Sequence, residues 1–191
     1  IGESFATHLS ACMPIIVDAF TDPAESVREV ALRAGQMIVK IMTATQAKTL
    51  CGYFCLGIFQ ESWRIRNGCL DLLGEVLEVL ATGAGGGNDD GDGFNLEGDE
   101  DGSYMWDTRV RMANITRALG QHMKAKVVAV LYIARTDISN ACRQSALKVW
   151  KSLTANTTEL AMNNMKEIVA EITCQIGNES ADIQMLSLIH I

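Results

Sequence analysis

Three stretches of this 191-residue chain superpose on one another: DPAESVREVAL at residues 22–32, QESWRIRNGCL at 60–70 and DISNACRQSAL at 137–147. Each begins with a polar turn and continues with an apolar residue and Arg, then a small residue three positions later and Leu four positions later. Arg28 and Arg66 are 38 residues apart, and Arg66 and Arg143 are 77 apart. This spacing indicates an internal repeat of about 40 residues.

An apolar segment with a helical period near 3.6 precedes each turn, and strand-like alternation is not convincing. These segments lie at about residues 8–20, 47–59, 124–134 and 163–176. One pair of helices cannot cover its own apolar face, so copies stack and share a continuous core. We therefore predict an all-α fold, a HEAT/armadillo-like α-solenoid of about three full helix pairs. A fainter copy at 178–184 indicates a truncated fourth pair.

The turns carry acidic and basic residues at matching positions. Asp22 and Arg28 are six residues apart, as are Asp137 and Arg143. In such arrays a turn Asp pairs with the Arg of a neighbouring repeat, so we predict a ladder between repeats that also includes Arg66. An exposed rung contributes about 0–1 kcal/mol, so we expect the ladder to set the register while burial supplies the stability.

The start of the second helix in the first repeat has a capping signal. Ser26 is followed three residues later by Glu29, which predicts a capping box with Ser26 as the N-cap. Pro23 suits the turn before it, because a missing N–H does no harm there.

The negative charge is concentrated in one segment, residues 83–107. It holds eight of the 23 acidic residues and eight of the 16 glycines, and outside it 15 acidic residues face 16 basic ones. Such a composition cannot bury enough apolar surface to offset the entropy of ordering, which predicts a disordered loop. We expect repeats one and two in residues 1–82, the acidic loop in 83–107, and repeat three with an incomplete repeat four in 108–191.

Sites for catalysis, cofactors or metals are not indicated. The closest motif, at residues 88–99, resembles an EF-hand loop but has Asn first and Asp99 in place of the bidentate Glu. The glycine run at 85–87 has no following Lys, so it is not a P-loop. His8, His122 and His190 are far apart in the sequence. We expect no enzyme activity, no cofactor and no metal site.

Several ionisable or reactive side chains fit a structural role. Asp71, Glu75 and Glu78 follow helical spacing, which favours a solvated helix face over an acid/base pair. The six cysteines all fall in helix-like patterns, which favours reduced, structural thiols. The longest apolar stretches, such as 13–19, are shorter than the roughly 20 residues of a membrane helix, so we expect a soluble chain.

Trp63 and Arg64 are the candidate partner contacts, because exposed Trp and Arg are favoured at interfaces. The alternative for Trp63 is that it covers the groove between two repeats, and this alternative is preferred. Trp150 lies at a core position, with Leu147 and Leu153 on its face.

A basic strip against ribosomal RNA is a further possibility. Its arginines would be Arg28, Arg33, Arg64, Arg66, Arg109, Arg111 and Arg117. A net charge of only +1 outside the acidic segment argues against a strong electrostatic footprint.

The sequence around the turns is more specific than a generic repeat pattern. In chain order it reads ESVREVALRAGQ (25–36), WRIR (63–66), LLG (72–74), LYIARTD (131–137) and RQSALKVWK (143–151). Together these motifs resemble the central HEAT region of the general-control translational activator family. The resemblance covers about residues 8–183, and the final residues 186–191 depart from it.

The resemblance implies a non-enzymatic scaffold in the cytosol, associated with ribosomes. Members of that family sense stalled ribosomes and help to activate the kinase that phosphorylates initiation factor 2 on its α subunit. It implies ribosomal and protein partners, with neither DNA nor a membrane, and it carries over no site residue. The alternative is another HEAT scaffold, such as a tubulin-binding TOG domain or a nuclear transport receptor.

Overall fold

The computed structural model describes residues 2–83 and 103–177, with side chains described for 8–83 and 108–177. Eight α-helices and no strand occur in these ranges. The helices are α1 (Gly2–Ala19), α2 (Glu25–Ile41), α3 (Ala44–Gly57), α4 (Trp63–Ala81), α5 (Ser103–Ala134), α6 (Asn140–Leu153), α7 (Thr157–Asn163) and α8 (Met165–Ile176).

The helices stack as pairs in two layers. Helices α1 and α2, α3 and α4, and α5 and α6 form consecutive hairpins. The second helices pack in the order α2, α4, α6, and the first-helix layer continues from α3 through α5 to α8. The prediction of an all-α helical repeat is therefore confirmed. The predicted fourth second helix at 178–184 lies outside the described residues.

Helix α5 is broken at Gly120, which has φ 74° and ψ 162°. Glycine adopts this left-handed backbone without the steric penalty that a Cβ brings. The segment after the break is the first helix of repeat three. The helix begins at Ser103, inside the predicted loop, and the remaining loop residues 84–102 lie outside the described residues.

The segment before Gly120 packs beside the end of α4. The Asn114 side-chain amide donates to the carbonyl of Ala81 at 2.9 Å, and Arg111 forms an ion pair with Glu78. The two helices that flank the acidic insertion therefore pack against each other. A long insertion is tolerated at such a place because closure entropy grows only slowly with loop length.

One continuous apolar core runs through the described repeats. Trp150 is buried in it, as predicted, with its ring edge-on to Tyr132 at a centroid distance of 5.8 Å. The Trp150 indole N–H donates to the Thr157 hydroxyl at 3.0 Å, so its polar atom is satisfied. All six cysteines are free thiols inside helices, as predicted. Burial raises the pKa of Cys55 and Cys69 to about 12, which keeps these thiols protonated.

The predicted capping box at Ser26 is wrong. Helix α2 begins two residues earlier than this prediction, at Glu25, with Ala24 as its N-cap and no side-chain cap. The Asp22 carboxylate accepts from the backbone N–H of Ala24 at 2.8 Å, so the turn is organised by Asp22 rather than Ser26. A capping box does occur at α3, where Thr43 and Gln46 bond to each other's backbone N–H groups.

Candidate protein-binding surface and the bridge between repeats

Arg66 joins repeats two and three through a buried bidentate ion pair. Its Nε donates to Oδ2 of Asp137 at 2.7 Å, and its Nη2 donates to Oδ1 at 3.0 Å. The side chains of Arg66 and Asp137 are only 2% and 1% exposed. Arg66 Nη1 also donates to the carbonyls of Gln60 and Glu61 in its own turn. One guanidinium therefore organises two successive turns.

Because this ion pair is buried, removal of either partner has a larger effect on stability than it would at the surface. The sequence led us to expect an exposed rung worth little, whereas removal of one partner from a buried pair costs about 3–5 kcal/mol. The cost arises because the remaining charge loses its partner without regaining water. Planar, bidentate geometry of this kind suits Arg and is not reproduced by Lys.

The other predicted ladder arginines hold their own turns in the same way. Arg28 Nη1 donates to the carbonyls of Asp22 and Pro23 at 2.7 and 3.0 Å. Arg143 Nη1 donates to those of Asp137 and Ile138 at 2.7 and 2.9 Å. The turn of repeat two has Gln60 where repeat three has Asp137, so it offers no carboxylate at that position.

Glycines let neighbouring second helices approach closely. A Cβ on Gly35 would lie 2.6 Å from a methyl carbon of Leu72, and one on Gly74 would lie 2.7 Å from a methyl carbon of Val149. Leu72 and Val149 each stand six residues after the repeat arginine, so the same position of α4 and of α6 packs on the preceding second helix. The second-helix layer is therefore regular across both junctions.

A polar groove runs along this layer between α2, α4 and α6. Asp71 is half-buried in it and accepts from the Ser145 hydroxyl at 2.8 Å and the Asn67 amide at 3.1 Å. Burial raises the pKa of Asp71, against the lowering effects of the Ser145 hydrogen bond and of nearby Lys148. Asp71 is therefore only partly solvated, on a helix face whose third acid, Glu78, is exposed.

Two more acidic residues of α4 line the same groove. Glu75 is half-buried and accepts from the Gln36 amide of α2, and Glu78 pairs with Arg111 of α5. The groove encloses about 500 Å³, and Lys148 also lines it. Helical spacing puts the three acids on one face. The partial burial of this face depends on how far Ser145 of α6 reaches towards α4, which the repeat spacing does not specify.

Trp63 and Arg64 lie at the first turn of α4, near the mouth of a second groove. Trp63 is 44% exposed, and the Arg64 guanidinium carbon lies 4.9 Å from the centroid of its indole ring. Both residues line a groove with Phe20 and Arg28 of repeat one. Trp63 thus lies along the groove between two repeats and still presents part of its ring to solvent.

The proposed basic strip is partly used within the fold. Arg66 is buried on Asp137, Arg28 binds carbonyls of its own turn, and Arg111 pairs with Glu78. Arg33 lies 3.7 Å from Glu29. These contacts reduce the positive charge available to a phosphate backbone.

The described residues hold no group of three or more His, Cys, Asp or Glu side chains that could bind a metal. His8 and His122 are exposed, and His190 and the EF-hand-like motif lie outside the described residues. No described helix has both the length and the apolar character needed to cross a membrane.

Curated proteins from distant eukaryotes align with nearly the whole chain. The "eIF-2-alpha kinase activator GCN1" of Dictyostelium discoideum is 28% identical over 191 residues, or 98% of the chain. The human "Stalled ribosome sensor GCN1" is 31% identical over 156 residues, or 82% of the chain. This chain is homologous to a segment of the GCN1 proteins. "Protein ILITYHIA" of Arabidopsis thaliana is 32% identical over 187 residues, or 95% of the chain.

The chain spans only 6–7% of the length of these relatives, so it corresponds to a small part of a GCN1 protein. Neither a family model nor a solved structure matches it. The repeat architecture therefore rests on the geometry described above together with this homology.

Proposed function

We propose that the chain is a non-enzymatic scaffold segment of a ribosome-associated translational regulator, one that promotes activation of the initiation factor 2α kinase in the stress response. The observation that carries the proposal is the homology to GCN1 relatives, whose names describe an eIF-2-alpha kinase activator and a stalled ribosome sensor. The segment would act in the cytoplasm, on ribosomal and protein partners, as part of a longer protein.

The arrangement of the described surface supports a scaffold role. The second-helix layer offers two adjoining grooves, one lined by Asp71 and Glu75 and the other by Trp63 and Arg64. In the first groove, Glu75 accepts a hydrogen bond from Gln36 and Asp71 accepts one from Ser145. These hydrogen bonds hold the groove in a defined shape, as a scaffold surface requires. Partly exposed Trp and Arg side chains are the types that contribute most at protein interfaces.

The test uses the full-length GCN1 protein that contains this segment. Trp63→Ala combined with Arg64→Ala removes the exposed side chains without touching the buried bridge. We expect weaker sedimentation with stalled ribosomes and lower phosphorylation of initiation factor 2α after amino-acid starvation. Leu56→Ala is the matched control, because Leu56 is a similarly exposed residue on the opposite layer.

Deletion of residues 1–191 provides the broader test. Kinase activation at the normal level after that deletion would contradict a scaffold role for the segment. Loss of activation by the deletion, with full activity of the Trp63 and Arg64 variant, would assign the role to a different surface of the same repeats.

The alternative scaffold class is a TOG-like tubulin binder, which Trp63 and Arg64 favour because TOG domains present turn residues of these types. A shift of tubulin on a native gel that is lost with Trp63→Ala would support this alternative. Unaltered tubulin mobility at micromolar concentrations of the chain would reject it.

A further inference from the structure

The two grooves of the second-helix layer join into one, which we call the α2–α4 groove. Leu32 of α2 and Asp71 of α4 line both parts, which enclose about 500 Å³ and about 240 Å³. Trp63 lies in one part and Glu75 in the other, and they are about 18 Å apart along the axis of α4. A peptide in an extended conformation covers that distance with about five or six residues.

The two parts of the α2–α4 groove carry opposite charges. Arg28 and Arg64 lie beside the partly exposed ring of Trp63 in one part. Asp71 and Glu75, both partly buried, line the other part. Within the part of the chain that the structure describes, neither Arg64 nor these two carboxylates belong to an ion pair.

The two carboxylates are held in place and still have acceptor capacity. Asp71 accepts one hydrogen bond at each oxygen, from the Ser145 hydroxyl and the Asn67 amide. Glu75 accepts from the Gln36 amide of α2. An ionised carboxylate has about four acceptor sites, so both residues can also bind a donor from a partner.

Other charges at the acidic part do not replace such a partner. Glu78 is paired with Arg111 of α5. Lys148 lines the same part, but it is exposed and forms no ion pair with Asp71 or Glu75 in the described ranges. Partly buried carboxylates without a cation are costly to desolvate further, so a partner that covers them must supply positive charge.

We propose that the α2–α4 groove binds an extended segment of a protein partner. The segment places an apolar side chain on Trp63, an acidic side chain on Arg64, and a Lys or Arg about six residues away on Asp71 and Glu75. Charge complementarity selects this occupant, because the unpaired charges of the groove have opposite signs in its two parts. A phosphate backbone would be repelled by the acidic part. The inference rests on the proposed scaffold function and names the kind of partner that its surface accepts.

The probe is a phage library of random peptides of about twelve residues, twice the length that the groove requires. It is selected in parallel on the 191-residue chain, on Glu75→Lys and on Glu29→Lys. Peptides selected on the unmodified chain should carry an apolar and acidic pair with Lys or Arg about six positions away. Glu75→Lys should change that Lys or Arg to Asp or Glu. Glu29→Lys should leave the pattern unaltered, because Glu29 is an exposed acid outside the groove.

The affinity of a selected peptide is then measured by fluorescence anisotropy. Glu75→Gln, which keeps an acceptor for Gln36, should weaken binding by at least about fivefold. Trp63→Ala should weaken it by at least about tenfold. Glu29→Gln should have no effect, and circular dichroism checks that each variant remains folded.

Selected peptides without this charge pattern, or a pattern that Glu75→Lys leaves unaltered, would overturn the proposal. Enrichment no greater than on the support alone would overturn it as well. Binding of oligouridine that Glu75→Gln strengthens, in place of peptide binding, would overturn it in favour of a nucleic acid. If no peptide is selected but kinase activation still depends on Trp63 and Arg64, the scaffold function stands and only this occupant is rejected.

Discussion

The two junctions between repeats have the same helical register but are closed by different contacts. Between repeats two and three, Arg66 and Asp137 form a buried ion pair. Between repeats one and two, Phe20 packs on Gly68, and among the described residues the Arg28 guanidinium hydrogen-bonds only to carbonyls of its own turn. The difference follows from one residue, since Gln60 occupies the position of Asp137. The repeat backbone is thus compatible with either a polar or an apolar closure.

The buried ion pair lies at the junction that contains the acidic insertion. Arg66 and Asp137 are 71 residues apart in sequence, and the acidic insertion lies between them. Apolar packing alone specifies helix register weakly, because neighbouring apolar residues can exchange places. A buried bidentate pair has one acceptable geometry and can specify register at the junction where the connection is longest.

Removal of Arg66 has the largest expected effect. Arg66→Ala leaves Asp137 charged and buried, so we expect the free energy of unfolding to fall by about 3–5 kcal/mol. The measurement is urea unfolding followed by circular dichroism. Arg28→Ala, which leaves no buried charge behind, should cost about 1–2 kcal/mol. Equal losses in the two variants would remove the distinction between the junctions.

The apolar closure is tested at Gly68. In Gly68→Ala the new Cβ would lie 2.5 Å from the Phe20 ring, so we expect a loss of about 1–3 kcal/mol from overpacking. Gly52→Ala is the control, because no atom lies within 4 Å of the added Cβ there. It should raise the free energy of unfolding by up to about 1 kcal/mol through helix propensity. Stabilisation by both changes would contradict the close contact.

A carboxylate can be introduced at residue 60, where repeat two has Gln in place of the Asp137 of repeat three. Gln60→Asp should place an acceptor beside Arg28 and also bond the backbone N–H of Ser62, as Asp137 does for Ser139. We expect a gain of about 0.3–1 kcal/mol, since this junction is more exposed than the next. Gln60→Asn retains the turn acceptor without the charge, so the difference between the two variants isolates the ion pair. No difference between them would show that Arg28 is not placed to form a rung.

The smallest effect concerns the pH dependence contributed by Asp71. Its folded-state pKa is raised by burial, so its contribution to stability is complete below the ordinary pKa of 3.8 and is lost as the pH rises through the raised value. The unfolding free energy of the unmodified chain should therefore decrease relative to Asp71→Asn as the pH rises from 3 through this range. A constant difference between the two would contradict the partial burial of Asp71.

Much of the fold could be predicted from the arginine spacing, because the repeat period fixes which helices pair and which residues are equivalent. The same spacing places Asp137 in the turn of the repeat that follows Arg66. The start of α2 could not be predicted from the Ser26 motif, since both Asp22 and Ser26 could organise this turn. In the structure the Asp22 carboxylate accepts from the backbone N–H of Ala24, and the helix begins before Ser26. The burial of Asp71 depends on how deeply Ser145 reaches across from α6, which sequence spacing does not specify.

The central claim, that the helix pairs on the two sides of the insertion stack in one register, is tested most directly by a double-mutant cycle. Arg66→Met, Asp137→Asn and their combination are compared with the unmodified chain by urea unfolding. The account predicts a coupling energy of at least about 1.5 kcal/mol, as for other close charge pairs. Additivity within about 0.5 kcal/mol would show that the two side chains do not meet and would contradict the stacking described here.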